Sequence, residues 1–265
     1  MTYQPIVPFT GLAGWQFLQR TMDNQKTAFD QSVPVQRATD AFRDRIGSIT
    51  SAAELVEDRQ LLEVALGAFG LDDDINNKFY IRKILEEGSF DSGSLANRLS
   101  DKSYLAFTQM FGYGDIGGAG LTTRPGFADD IIQRFEDRQF EIAVGNQDND
   151  MRLALNFPNE LQDVVDQATS VDARWFSIMG STPLRSVVET ALGLPSGISQ
   201  IDLDQQLSEF KDRAQRVLGT DDPAEFLNAE SQEQIVRLFL VRSEAAAASS
   251  FSGASIAIAL LQGVA

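Results

Sequence analysis

SAAELVEDRQLLEVALGAFG, residues 51–70, decides the class of the fold. Ser51 and Glu54 stand at the Ser-x-x-Glu spacing of a capping box, in which a hydroxyl and a carboxylate satisfy amides that an opening helix leaves unpaired. Leu55, Leu62, Leu66 and Phe69 follow at the spacing of one helical face. Gly70 stands where a helix closes on a left-handed residue. Start, buried face and stop are all written in twenty residues, and they predict a strong amphipathic helix.

The same grammar repeats outward. Apolar Ile75, Phe79, Ile81, Ile84 and Leu85 predict a helix over about 73–86, ended by Gly88. Short helices fit 94–99 and 104–110. Towards the N-terminus, Pro34 separates a helix at about 35–46 from an earlier one at 12–29. In that earlier helix Trp15, Met22 and Phe29 recur every seven residues, with Leu18 beside them. The stripe is either docked on the chain's own core or a face awaiting a partner. Residues 1–10 are extended and punctuated by Pro5 and Pro8.

Residues 111–124, FGYGDIGGAGLTTR, interrupt the pattern with five glycines and read as a long loop or a hinge. From Pro125 a long helix runs to about Gly145, and further helices fit 148–156, 159–168 and 172–178. Thr182-Pro183 opens a helix that ends at Gly193. Asp202 caps one stopped by Gly219, and Asp222-Pro223 caps a short one. Ser231 opens the last, with Ile235, Leu238, Phe239 and Val241 in helical spacing, fading into Ala245–Ala248 and SSFSG. No segment sustains period-two alternation. The predicted fold is all-α, a multi-helix bundle.

VALGAFGL at 64–71, followed by Ile75, echoes VVETALGL at 187–194, followed by Ile198. The echo suggests two related helical units, although any capped amphipathic helix has this look. The predicted organisation is a partner-binding arm over 1–30, helical units at 31–110 and 125–252 joined by the 111–124 loop, and an apolar tail at 253–265.

Composition narrows the chemistry. The 265 residues include no histidine and no cysteine, which removes the commonest general base, the commonest metal ligand and the only thiol. Thirty-eight acidic side chains against twenty-two basic ones give a net charge of −16. That field repels phosphate backbones, and no basic stripe offsets it, so nucleic-acid binding is not expected. The start, Met1-Thr2-Tyr3-Gln4-Pro5, lacks the basic segment and apolar run of a cleavable signal peptide. The longest apolar tail stretch, SIAIALL at 255–261, is far too short to span a bilayer.

Tests for catalytic motifs fail on spacing. Gly112-x-Gly114-x-x-Gly117 has the dinucleotide pattern, but a helix rather than a strand precedes it. Asp72-x-Asp74-x-Asn76 begins like a calcium loop, but Asn77 and Lys83 occupy the positions that need Gly and Glu. Glu86-Glu87, Asp129-Asp130 and Asp221-Asp222 are adjacent pairs, which on a helix diverge rather than converge. No catalytic residue, cofactor or metal is assigned. Trp175 reads as a packing residue, and Arg152 and Arg185 as partly buried and paired with carboxylates.

Three stretches carry a resemblance: 55–104, with LVEDRQLLEVALGAFGLDDDINNKFYIRKILEEG and LANRLSDKSY; 138–157, RQFEIAVGNQDNDMRLALNF; and 174–210, with RWFSIMGSTPLRSVVETALGLP and IDLDQQLSEF. With ALLQ at 259–262, the chain resembles a bacterial family of unknown function found mainly in alphaproteobacteria. The resemblance implies an all-helical fold without assigned catalysis. It also implies a flagellum-associated role, because members are often encoded among flagellar genes.

The leading expectation is therefore a non-enzymatic structural or assembly protein of the flagellum, acting through helix packing with itself or with flagellar components. Flagellar axial proteins generally pair N- and C-terminal helices, which nominates Leu12, Trp15, Leu18, Met22, Phe29, Ile235, Leu238 and Val241 as partner-binding residues. The alternative is a soluble cytoplasmic binding, scaffold or export-adaptor protein. A distant third is an enzyme built on carboxylates or an oxygen-held metal.

Overall fold

The Ser51 hydroxyl accepts the Glu54 amide at 3.2 Å, and the Glu54 carboxylate returns to the Thr50 amide at 2.6 Å, so the predicted cap forms. The computed structural model describes residues 3–262, and side chains over 3–248. It is all-helical: among the described residues there are fourteen α-helices and no strand. In order they are α1 (Gly11–Asp30), α2 (Val33–Arg45), α3 (Ala52–Glu57), α4 (Arg59–Gly67), α5 (Lys78–Glu87), α6 (Leu95–Arg98) and α7 (Ser103–Phe111). Then come α8 (Tyr113–Ile116), α9 (Phe127–Gly145), α10 (Asn149–Gln167), α11 (Val171–Gly180), α12 (Thr182–Leu192), α13 (Leu203–Leu218) and α14 (Ala229–Gln262).

Two compact units divide the chain. The first comprises Met1–Pro5 and Met22–Ala143, the second Ile6–Thr21 and Val144–Ala265. The division does not fall at 111–124, which lies wholly in the first unit. That segment is tied down rather than strung between halves. Tyr113–Ile116 forms a helical turn, and Phe111 packs its ring on Phe107, Tyr113 and Phe127 at 4.9–5.9 Å. A Cβ on Gly114 would come within 2.5 Å of the Gly88 amide nitrogen and 2.6 Å of the Glu86 carbonyl, so glycine permits this close backbone approach. The first unit's core continues through Phe69 on Phe107 and Phe29 on Phe140.

In the second unit α12 packs against α10 and α14, burying Leu184, Val187, Val188 and Leu192 of α12 and Ile235, Val236, Phe239 and Leu240 of α14. Trp175 is fully buried, with Phe210 and Phe226 around it and its indole nitrogen donating to the Asp221 carbonyl at 2.7 Å. The start of α1 belongs here too. The Glu244 carboxylate sits where a Cβ on Gly11 would lie, opposite the positive end of α1. Gly14 lets α1 approach the Met151 side chain. Residues 6–21 are thus packed into the second unit, not held out from it as a free arm.

Four local expectations change. The helix predicted from 51 to 70 is broken at Asp58, whose extended backbone and carboxylate cap α4 through the Gln60 and Leu61 amides. The two helices predicted at 148–156 and 159–168 are one, α10, which carries Pro158 within it. The last helix begins earlier than Ser231, capped by the Asn228 side chain on the Ser231 amide at 2.8 Å, and it runs on to Gln262. Arg152 is exposed, whereas Arg185 is partly buried and bonded to Glu189 and Gln206. Of the predicted 253–265 tail, the backbone of 263–265 and all side chains lie outside the described residues.

Candidate interaction surfaces

The residues nominated from sequence do not form one free face. Leu18, Phe29 and Ile235 are buried in the folded chain. Leu12, Trp15, Met22 and Leu238 are half-buried, and only Val241, at 46%, is well exposed. Leu12, Trp15 and Leu18 belong to the second unit, Met22 and Phe29 to the first. Phe29 is already committed to Phe140, with ring centroids 5.8 Å apart and nearly perpendicular.

In the first unit, a different set of apolar side chains faces solvent. Phe79 and Phe90 are each 81% exposed, and Ile116 is 60% exposed. Phe79 lies near the start of α5, off the stripe formed by Ile81, Ile84 and Leu85, all fully buried. It shares its side of the helix with Arg82, Lys83 and Glu86, all exposed. That grouping was readable in the sequence: the charges at 82, 83 and 86 mark the solvent side, and Phe79 falls among them. Within α5, Arg82 pairs with Glu86 at 2.6 Å and Lys83 with Glu87 at 3.7 Å.

Phe90 is fixed at the other end of α5. Gly88, at φ +74° and ψ −167°, turns the chain out of the helix, a conformation that favours glycine. The Asp115 carboxylate then accepts the Ser89 amide at 2.6 Å, the Ser89 hydroxyl at 2.8 Å and the Phe90 amide at 2.9 Å. Partial burial works to raise the pKa of Asp115, but these bonds outweigh it and the net shift is downward. Ile116 follows directly, so exposed apolar groups come from both chain segments of this junction.

The second unit exposes Leu203 and Ile201 at the start of α13. Along α13 an open depression is lined by Asp172, Asp204, Leu207, Lys211, Asp212 and Asp221. Lys211 meets Asp172 at 2.9 Å and Asp221 at 3.8 Å.

Carboxylates elsewhere serve the fold. Asp72 accepts from Gln139 at 2.9 Å, and Asp74 accepts from the Tyr104 hydroxyl and from Asn77. The calcium-like stretch therefore turns its oxygens onto protein donors. In the first unit Glu136 is half-buried beside Asp30 and Asp137, with Lys26 and Arg43 opposing them. Burial first, then Asp30, pushes the Glu136 carboxyl up to about 7. Among the described residues no three Asp or Glu side chains are placed to hold a metal ion. None of the described helices is long and apolar enough to cross a membrane.

A family model described as a protein of unknown function, DUF1217, matches residues 68–226. The fold is similar to the crystal structure of a protein from Agrobacterium tumefaciens determined by a structural genomics consortium. The TM-score is 0.72 at 21% identity, over 91% of this chain and 98% of that one. No curated protein matches the chain.

Proposed function

We propose that the chain, which belongs to the DUF1217 family of proteins of unknown function, is a flagellum-associated structural or assembly protein that works by helix-mediated contact with other protein chains. The observation that carries the contact reading is the pair Phe79 and Phe90, each 81% exposed, at the two ends of the charged outer side of α5. Single exposed apolar residues are ordinary, but here two phenylalanines of this exposure flank one charged helix side, with Ile116 beside the Phe90 end. Leaving them uncovered keeps hydrocarbon in water, and covering them with a partner removes that penalty. The flagellar setting is supported by the resemblance carried by residues 55–104, 138–157 and 174–210 to a family often encoded among flagellar genes.

The test is a clean deletion of the gene in its native host, scored for swimming and for filaments and basal bodies by electron microscopy. Complementation uses the wild-type chain and the double variant Phe79→Ser/Phe90→Ser. The expected result is lost swimming with missing or truncated flagella, restored by wild type and not by the variant. Normal flagella in the deletion strain would overturn the flagellar role.

A further inference from the structure

We propose that the outer face of α5 docks a second copy of this chain, antiparallel across a two-fold axis over the midpoint between Ile84 and Leu85. This rests on the reading of that face as an interaction surface, and names its partner. The exposed positions are Phe79, Arg82, Lys83, Glu86 and Glu87, with Phe90 just beyond the helix. They are symmetric in sequence about that midpoint. Phe79 and Phe90 are equally far from it, as are Arg82 and Glu87, and Lys83 and Glu86.

When two identical helices run antiparallel across a two-fold axis, residues equally distant from the axis face one another. Arg82 then meets Glu87 of the second copy and Lys83 meets Glu86, while Phe90, turned out of the helix at Gly88, lies beyond the paired segment. A Phe79 flanks each end, and opposite charges fill the middle. A parallel pairing would set Arg82 on Arg82 and Glu86 on Glu86, so like-charge repulsion selects the antiparallel one. The pairs within each helix, Arg82 with Glu86 and Lys83 with Glu87, stay partly exposed, with Glu87 also accepting the Leu95 amide at 2.7 Å, and the second copy turns them into a network across the axis.

The charge of the whole chain points the same way. At a net −16, two copies repel one another over most of their surface. The face of α5, with two cations and two carboxylates, is locally neutral and lets copies approach. Ten residues of helix present about 15 Å per copy. That is a small interface, at the low end of specific contacts, so the dimer is weak.

Sedimentation equilibrium on the full chain, from about 10 μM to about 1 mM, reads this directly. The wild-type chain is expected to show a reversible dimer. Lys83→Glu and Glu86→Lys each place two like-charge contacts across the axis, and each should weaken self-association about tenfold or more. Mixed in equal amounts, the two variants should recover wild-type association, because the new carboxylate of one faces the new ammonium of the other. Both positions are exposed, and circular dichroism checks that each variant is folded.

A wild-type chain that stays monomeric at about 1 mM overturns the proposal, as do variants that dimerise like wild type. The wider reading fails separately. Monomeric wild type together with lost swimming in the Phe79→Ser/Phe90→Ser strain leaves the surface in place with a different partner. Normal swimming in that strain removes the surface itself.

Discussion

Glu136 is the side chain whose charge state the fold alters most usefully. It sits on α9 between Asp137 of its own helix and Asp30 of α1, with Lys26 of α1 and Arg43 of α2 acting in the opposite sense. Lys26 forms an ion pair with Asp137, and Arg43 is drawn to Asp129 at 3.3 Å and Asp40 at 3.5 Å. Burial also raises the pKa of Asp30, partly offset by Lys26, and one Asp30 carboxylate oxygen is buried without a hydrogen-bond partner. A carboxyl whose pKa is raised on folding binds its proton more tightly in the folded state. Stability is then lost as pH rises from the unfolded value near 4.5 through the folded value of about 7. Glu136→Gln removes this titration. The variant should match wild type near the unfolded pKa and exceed it well above the folded one, by roughly 1 kcal/mol after allowing for solvent screening at a half-exposed site. Urea unfolding on either side of that window checks it, and an equal wild-type-to-variant difference at both pH values would remove the effect.

Helix ends show how local chemistry was legible and where it was not. Ser51, Asp202 and Asp222 cap as predicted, because a cap needs only a side chain and amides two or three residues on. Gly70 and Gly193 both take positive φ, and in each case the next residue donates to the carbonyl five back, Leu71 to Leu66 and Leu194 to Glu189. The echo between 64–71 and 187–194 is thus at least a shared way of ending a helix. Asp58 and Pro158 misled because the first can cap or continue a helix and the second can break or merely interrupt one; packing on neighbours decides. The Gly193 stop of α12 was legible, but the partners of its last carbonyls were not. Its last carbonyls are collected by two arginines from distant helices. Arg213 donates to Leu192 at 2.8 Å and Gly193 at 3.2 Å, and Arg242 donates to Ala191. A cation at a helix C-terminus also meets the negative end of the dipole. Arg213→Ala should cost about 1–3 kcal/mol in urea unfolding, and Arg213→Lys should recover only part of it, since one ammonium cannot reproduce the forked geometry. Full stability in Arg213→Ala would mean water serves those carbonyls equally well.

At the scale of the molecule, the all-α class followed from periodicity alone, but the partition of the chain did not. Composition marked 111–124 as the boundary, whereas the compact units divide at 5/6, 21/22 and 143/144. Only the first has a proline, Pro5; 21/22 and 143/144 carry neither a glycine run nor a proline, because there the division is set by which helices pack together and not by any local break. The exposed side of α5 was legible from its charges, and the burial of the N-terminal stripe was not, because a seven-residue apolar repeat serves a core as well as a partner. This changes what an N-terminal truncation should do. Treated as an arm, residues 1–30 could be removed with the rest still folded. In the structure Leu18 and Phe29 are core side chains, and loss of those two alone costs about 5–10 kcal/mol against a typical total of about 5–15. The truncation also deletes Ile6–Thr21 from the second unit and strips Met22–Asp30 from the first. The chain from 31 to 265 should therefore lose cooperative thermal unfolding. The chain's two tryptophans are Trp15 and Trp175, so Trp175 is then its only one. Fully buried in the second unit of the intact protein, it should shift its emission to the red as water reaches the indole. A blue emission with a cooperative melt close to that of the full chain would show that the first thirty residues are a separable arm after all.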